Sequence, residues 1–111
     1  MHVVIIGAGE VGWTVYGRDA EGTRWSPAGT ITTANAHLLE EAWTYRTGES
    51  EDRFRTAEET AFETTPLVRD GVMYLGTPLG RVIALDAATG REIWVFDPQI
   101  RRDIGYGDFA N

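Results

Sequence analysis

The sequence predicts an all-β fold, and two observations carry that reading. From Phe62 to Pro98, four short runs of β-branched and apolar residues alternate with tight-turn residues. That is the spacing of four antiparallel strands in one up-and-down sheet. The second observation is a repeat. The pattern Ala84-x-Asp86-x-x-x-Gly90-x-x-x-Trp94, moved back by 51 positions, becomes Thr33-x-Asn35-x-x-x-Leu39-x-x-x-Trp43. The small residue, the Asx and the Trp fall in register, and the aromatics that follow, Phe96 and Tyr45, align as well. Only the glycine is missing, with Leu39 in its place. Four-stranded sheets recurring at such a period indicate a β-propeller, with two matched tryptophans packing between neighbouring blades.

The elements follow in order. Val3 to Ile6 is a short apolar strand candidate that ends in Gly7, Gly9 and Gly12. Gly17, Gly22, Pro27 and Gly29 then break any long helix. Ala34 to Glu41 fits a short helical stretch with Thr33 as its N-cap. Trp43 to Thr47 alternates as a strand does, and Gly48 ends it. Glu49 to Thr60 is polar and highly charged and reads as a solvated loop. Thr64–Arg69 is the first strand of the sheet. Asp70-Gly71 is a two-residue hairpin turn in which both residues need positive φ. Val72–Thr77, Arg81–Leu85 and Arg91–Asp97 are the next three strands, with the Asp86 carboxylate placed to accept backbone N–H bonds in the turn between the last two. The expected organisation is an N-terminal strand and glycine turn (1–12), an edge strand with its charged loop (13–61), a first blade (62–98) and a loop toward a second blade (99–111).

The bulk properties narrow the function classes. The 111 residues fill one small domain, and 42% hydrophobic with 24% charged residues is an ordinary globular composition. A net charge of −7 argues against nucleic acid, because that partner needs clustered cations, and Arg53/Arg55 and Arg101/Arg102 are too small as clusters. There is no cysteine, hence no disulfide, Cys-zinc site or thiol nucleophile. No stretch has the length of a membrane span, and the apolar start is too short for a signal-peptide core.

With these residues in view, 13–111 resembles the dehydrogenases that depend on pyrroloquinoline quinone (PQQ). The segment YGRDAEGTRWSP resembles the family's opening, and ITTANAHLLEEAWTYRTG resembles its edge strand. FETTPLVRDGVMYLGTPLGRVIALDAATGREIWVFDP resembles a first blade with a tryptophan docking motif, and DIGYGDFAN the loop into the next blade. The resemblance implies the N-terminal part of an eight-bladed propeller, with PQQ near the axis and calcium beside it. It implies oxidation of alcohols or sugars, electron transfer to a cytochrome or quinone, and a periplasmic location. Such chemistry is the cofactor's, with calcium as Lewis acid and a carboxylate as base. One site residue carries over: Glu63, in Phe62-Glu63-Thr64-Thr65-Pro66, matches the acidic position that hydrogen-bonds PQQ in alcohol-oxidising relatives. The calcium ligands, the catalytic Asp and most PQQ contacts belong to later blades, so this chain alone is expected to be inactive.

Two other readings compete. The same repeats can serve a non-catalytic propeller scaffold. MHVVIIGAGEVG resembles the start of the nucleotide-binding domain of TrkA-type potassium-transport regulators, with Gly7, Gly9 and Gly12 in G-x-G-x-x-G spacing. That motif needs a helix after Gly12 and an acidic residue about 20 positions on, at the end of a second strand. Here Gly17, Gly22 and Pro27 break the helix, and no acidic residue lies between Glu21 and Glu40. His37 with Glu40 and Glu41 lacks the converging ligand set of a transition-metal site.

Overall fold

A computed structural model describes residues 2–3, 19–23, 29–49, 61–101 and 103. Among them are six strands: β1 His2–Val3, β2 Tyr45–Arg46, β3 Leu67–Arg69, β4 Val72–Gly76, β5 Val82–Asp86 and β6 Glu92–Phe96. Strands β3, β4, β5 and β6 form one antiparallel sheet in chain order, the up-and-down sheet the sequence predicts. Each boundary falls close to expectation except the first. Residues 64–66 lie outside the ladder, and Pro66 has no N–H to contribute there. The β3–β4 hairpin turns on Asp70 (φ 50°) and Gly71 (φ 75°), both left-handed, so the twist of the turn matches that of the strands. β1 pairs antiparallel with β2, His2 opposite Arg46 and Val3 opposite Tyr45.

Alternation sorts the sheet's side chains onto two faces. Val68, Met73, Leu75, Ile83 and Leu85 are buried together on one face. On the other, Leu67, Tyr74, Ala84 and Trp94 stand opposite one another across the four strands. There Ala84 is fully buried, but Tyr74, Trp94 (44% exposed) and Phe96 (58%) face solvent.

The buried face is closed by residues that precede the sheet. Trp43, Tyr45 and Phe62 pack against the five-residue cluster. Trp43 is fixed by the turn between β5 and β6. Its indole Nε1–H donates to the Ala87 carbonyl at 3.2 Å, and its ring lies so close to Gly90 that a Cβ there would sit 2.5 Å from it. Asp86 shapes this turn. Its Oδ1 accepts from the Ala88 and Thr89 amides and the Thr89 hydroxyl at 3.1, 2.9 and 2.8 Å, as the sequence predicts. The Gly90 amide then donates to the Asp86 carbonyl at 2.8 Å. Of the two matched tryptophans, Trp43 packs on the sheet, whereas Trp94 is 44% exposed.

Two expectations need correction. The helix predicted over Ala34–Glu41 is a single 3-10 turn, Ala36–Leu38, and Thr33 does not cap it. The Asn35 side chain accepts from the Thr32 amide at 2.7 Å and donates to the Thr30 carbonyl at 2.8 Å. Such local side-chain bonds offer the backbone an alternative to a longer helix. The loop predicted from Glu49 to Thr60 does not begin in solvent, because the Glu49 side chain is only 7% exposed. The rest of that loop, Gly7, Gly9, Gly12 and Trp25 lie outside the described residues.

Gly90 and Gly71 separate two effects. Both have positive φ, but only Gly90 meets another group where a Cβ would be. Gly71→Ala is expected to cost about 1–2 kcal/mol for the left-handed conformation. Gly90→Ala adds the displacement of Trp43 and is expected to cost about 2–4 kcal/mol. Urea unfolding followed by far-UV circular dichroism checks the order, and equal midpoints for the two variants would contradict it.

Candidate functional site

The residue that sequence reasoning singled out, Glu63, sits in the extended segment leading into β3. Along 61–66 exposure alternates, with Phe62, Thr64 and Pro66 turned partly inward and Ala61, Glu63 and Thr65 outward. Phe62 packs on the core cluster and so holds the backbone beside it. Glu63 presents its carboxylate from this ledge on the edge strand's approach. It offers hydrogen-bond acceptors and no donor when ionised. Among the described residues no group of three or more His, Cys, Asp or Glu could hold a metal ion. His37 is exposed in its 3-10 turn, and Glu41 accepts from the Thr44 hydroxyl at 2.6 Å.

A second cluster was not anticipated from sequence. Arg81, just before β5, is buried. Its Nη1 donates to the Thr47 carbonyl at 2.9 Å and lies 3.3 Å from the Glu49 carboxylate, and its Nε is 3.9 Å from Asp97. A planar guanidinium suits such a multi-armed junction because its donors fan out in fixed directions. The Arg81 amide also donates to the Thr77 hydroxyl at 3.2 Å, and the Thr77 amide to the Arg81 carbonyl at 3.0 Å, which closes the β4–β5 turn. The one cue available was an Arg opening an otherwise apolar strand, which says nothing about its distant partners.

A third junction joins β2 to β6. The Tyr45 hydroxyl donates to Glu92 at 2.5 Å. Partial burial, and next the bond and negative charge of Glu92, push the Tyr45 phenol up to about 12, against a smaller opposing influence of Arg81. Asp86 moves the other way. Its bonds from the Thr89 hydroxyl and amide hold the carboxyl below its ordinary value. Three contacts therefore bind the strap 43–49 to one face of the sheet: Trp43 on the Gly90 turn, Tyr45 on Glu92, and Thr47 with Glu49 on Arg81.

The family model for the β-propeller domain of PQQ glucose/ethanol/alcohol dehydrogenases matches residues 13–111. The chain belongs to this family of PQQ dehydrogenases. The quinoprotein glucose dehydrogenase of Escherichia coli strain K12 is 43% identical over 94 residues, which are 85% of this chain and 12% of that protein. A 1-butanol dehydrogenase (cytochrome c) of Thauera butanivorans is 39% identical over 93 residues, 84% of this chain and 12% of its own. The crystal structure of the quinohemoprotein alcohol dehydrogenase from Comamonas testosteroni superposes with a TM-score of 0.64 at 35% identity, covering 79% of this chain and 12% of that one. The chain thus spans about an eighth of the length of the relatives it matches. The four-stranded antiparallel sheet β3–β6 lies within the matched β-propeller region. The match begins where the glycine-rich opening ends, and the described residues hold no helix long and apolar enough to cross a membrane.

The Tyr45 phenol sets an alkaline limit on this blade. Its folded value lies above the unfolded value near 10, so the folded state favours the neutral phenol. The stabilisation is complete below pH 10 and is lost as pH rises toward 12. The chain has no lysine, and arginine stays charged, so that window belongs to its tyrosines. Tyr45→Phe is expected to lower stability at pH 7 by about 1 kcal/mol for the lost hydrogen bond and to flatten the decline between pH 10 and 12. Urea midpoints measured across that range test this; an unchanged slope would contradict it.

Proposed function

We propose that the chain supplies the first blade of a PQQ-dependent dehydrogenase that oxidises alcohols or sugars. The observation that supports this reading is the family match over 13–111, a region that folds into one four-stranded antiparallel sheet with Trp43, Tyr45 and Phe62 packed on it. On this reading the electrons pass to a cytochrome or quinone acceptor in the periplasm. The relatives, a glucose dehydrogenase and a 1-butanol dehydrogenase (cytochrome c), support sugar or alcohol substrates and a cytochrome acceptor.

Glu63 is the residue of this chain assigned to PQQ. An exposed carboxylate on a ledge anchored by Phe62 can accept a hydrogen bond from the cofactor and limit its tilt. A calcium ion beside PQQ would take six to eight oxygen ligands. The described residues offer no such set, and on this reading calcium is held by residues other than these. When bound, PQQ supplies the redox chemistry; this chain's part is to position one face of the cofactor and to seat the neighbouring blade.

Two measurements test the proposal. The 111-residue chain with added PQQ and calcium is expected to show no dye-linked oxidation of glucose or ethanol, and turnover would refute the need for further blades. Residues 13–111 exchanged for the matching segment of the Escherichia coli glucose dehydrogenase are expected to preserve activity. In that chimera Glu63→Gln should weaken PQQ binding about 10-fold or more, the value of one hydrogen bond to a charged group. Unchanged PQQ affinity would remove Glu63 from the site.

A further inference from the structure

The two turns at one end of the sheet are joined by a relay of backbone bonds. The Ala87 amide, in the β5–β6 turn, donates to the Gly71 carbonyl, in the β3–β4 turn, at 2.9 Å. The Ala87 carbonyl accepts the Trp43 indole N–H at 3.2 Å. Three segments distant in sequence thus meet through the two backbone groups of one residue. The relay starts at a chemically reactive pair. Asp-Gly occurs once in the sequence, at 70–71, and both residues are exposed. Arg69 and Val72 close the ladder, so the Gly71 amide lies in the turn beyond it. A Cβ at Gly71 would meet nothing within 4 Å, so the space beside that amide is open. The Asp70 carboxylate pairs with Arg69 at 3.5 Å, but the two side chains are 88% and 77% exposed, which makes the pair a weak restraint.

We propose that Asp70-Gly71 is a modification site at which isoaspartate forms in the folded chain, and that the modification unfastens Trp43. The Gly71 amide nitrogen attacks Cγ of the protonated Asp70 carboxyl. The N–Cγ bond forms, and the amide proton and the carboxyl OH leave as water. Water then opens the resulting cyclic imide. Where it breaks the bond between the nitrogen and the former backbone carbonyl carbon, the chain continues through Cγ and a free α-carboxylate remains. Nothing is oxidised or reduced, and water is the co-reactant. Glycine favours the closure because no side chain crowds the attacking nitrogen. The product carries one more carbon in the backbone of a two-residue turn. That turn is set by positive φ at both residues, 50° and 75°, and the longer backbone loses its geometry. The Gly71 carbonyl then leaves the Ala87 amide, and Ala87 loses an anchor next to the carbonyl that accepts Trp43.

The experiment ages the full 111-residue chain, isotope-labelled, in warm and mildly acidic buffer without denaturant. Isoaspartate is located by mass spectrometry with electron-transfer fragmentation, and hydrogen exchange is followed by NMR. Isoaspartate is expected at position 70. In the modified fraction, exchange protection is expected to be lost at the Ala87 amide and the Trp43 indole N–H. The Thr77 and Gly80 amides, which close the turn at the opposite end of the sheet, should keep theirs, which separates a local release from unfolding. Asp70→Glu retains the charge but places its carboxyl one carbon too far for that ring. This variant should keep the Ala87 and Trp43 protection through the same ageing. An Asp70 left intact in the folded chain, protection retained at Ala87 and Trp43 after modification, loss at both ends of the sheet together, or the same loss in Asp70→Glu would each overturn the proposal.

Discussion

The contact on which the rest of the structure depends is the indole of Trp43 laid on Gly90. A four-stranded sheet has two faces to cover, and alone it covers neither. Here one face is closed from outside the sheet, and the closure needs two things at one turn: an acceptor aimed at the indole N–H and a backbone without a Cβ beneath the ring. The turn supplies the Ala87 carbonyl and Gly90 together. It can do so because the Asp86 carboxylate takes up the Ala88 and Thr89 amides, and holding the Ala88 amide orients the Ala87–Ala88 peptide plane that carries the Ala87 carbonyl. The acidic residue, the glycine and the distant tryptophan are therefore one device.

The polar junctions work within that frame. Tyr45–Glu92 and Arg81 with Thr47 and Glu49 hold the strap at points beyond the indole. An exposed ion pair is worth little, and a buried one costs much of what it returns in desolvation. The effect of the Arg81 pairs is thus on register more than on stability, while the Tyr45–Glu92 hydrogen bond adds a modest stabilising contact. Phe62 packs into the same cluster as Trp43 and Tyr45, so the ledge that carries Glu63 inherits its position from this packing. The candidate site and the strap are coupled through one hydrophobic core, even though no bond links them among the described residues.

The sheet was legible in sequence because its information is local. Alternation, Asp70-Gly71, and the Asp86–Gly90 turn each act within a few residues, and each appears where expected. The tryptophan repeat was legible at longer range because it recurs. What sequence could not give were partnerships with no periodicity. Arg81 reaches Thr47 and Glu49 across more than thirty positions, and nothing about an Arg before an apolar strand names them. Glu49 was read as solvated from its acidic, polar neighbours, and burial with Arg81 reverses that. The short helix failed for a local reason that propensity hides: Asn35 uses its amide on the backbone around it.

The difference between the two faces explains why a blade of this kind is a part and not a whole. On the closed face, five apolar side chains are sealed by aromatic residues from the strap and ledge. On the open face, an aromatic row remains in water with only the small Ala84 buried beneath it. The apolar surface of Tyr74, Trp94 and Phe96 contributes nothing to folding until something covers it, and each additional blade contributes by covering its neighbour. The proposed role of Glu63 follows the same logic. A single acceptor on an exposed ledge cannot define a cofactor's position, because orientation takes several convergent groups. The open face of the sheet therefore leaves part of its apolar surface unburied at this boundary.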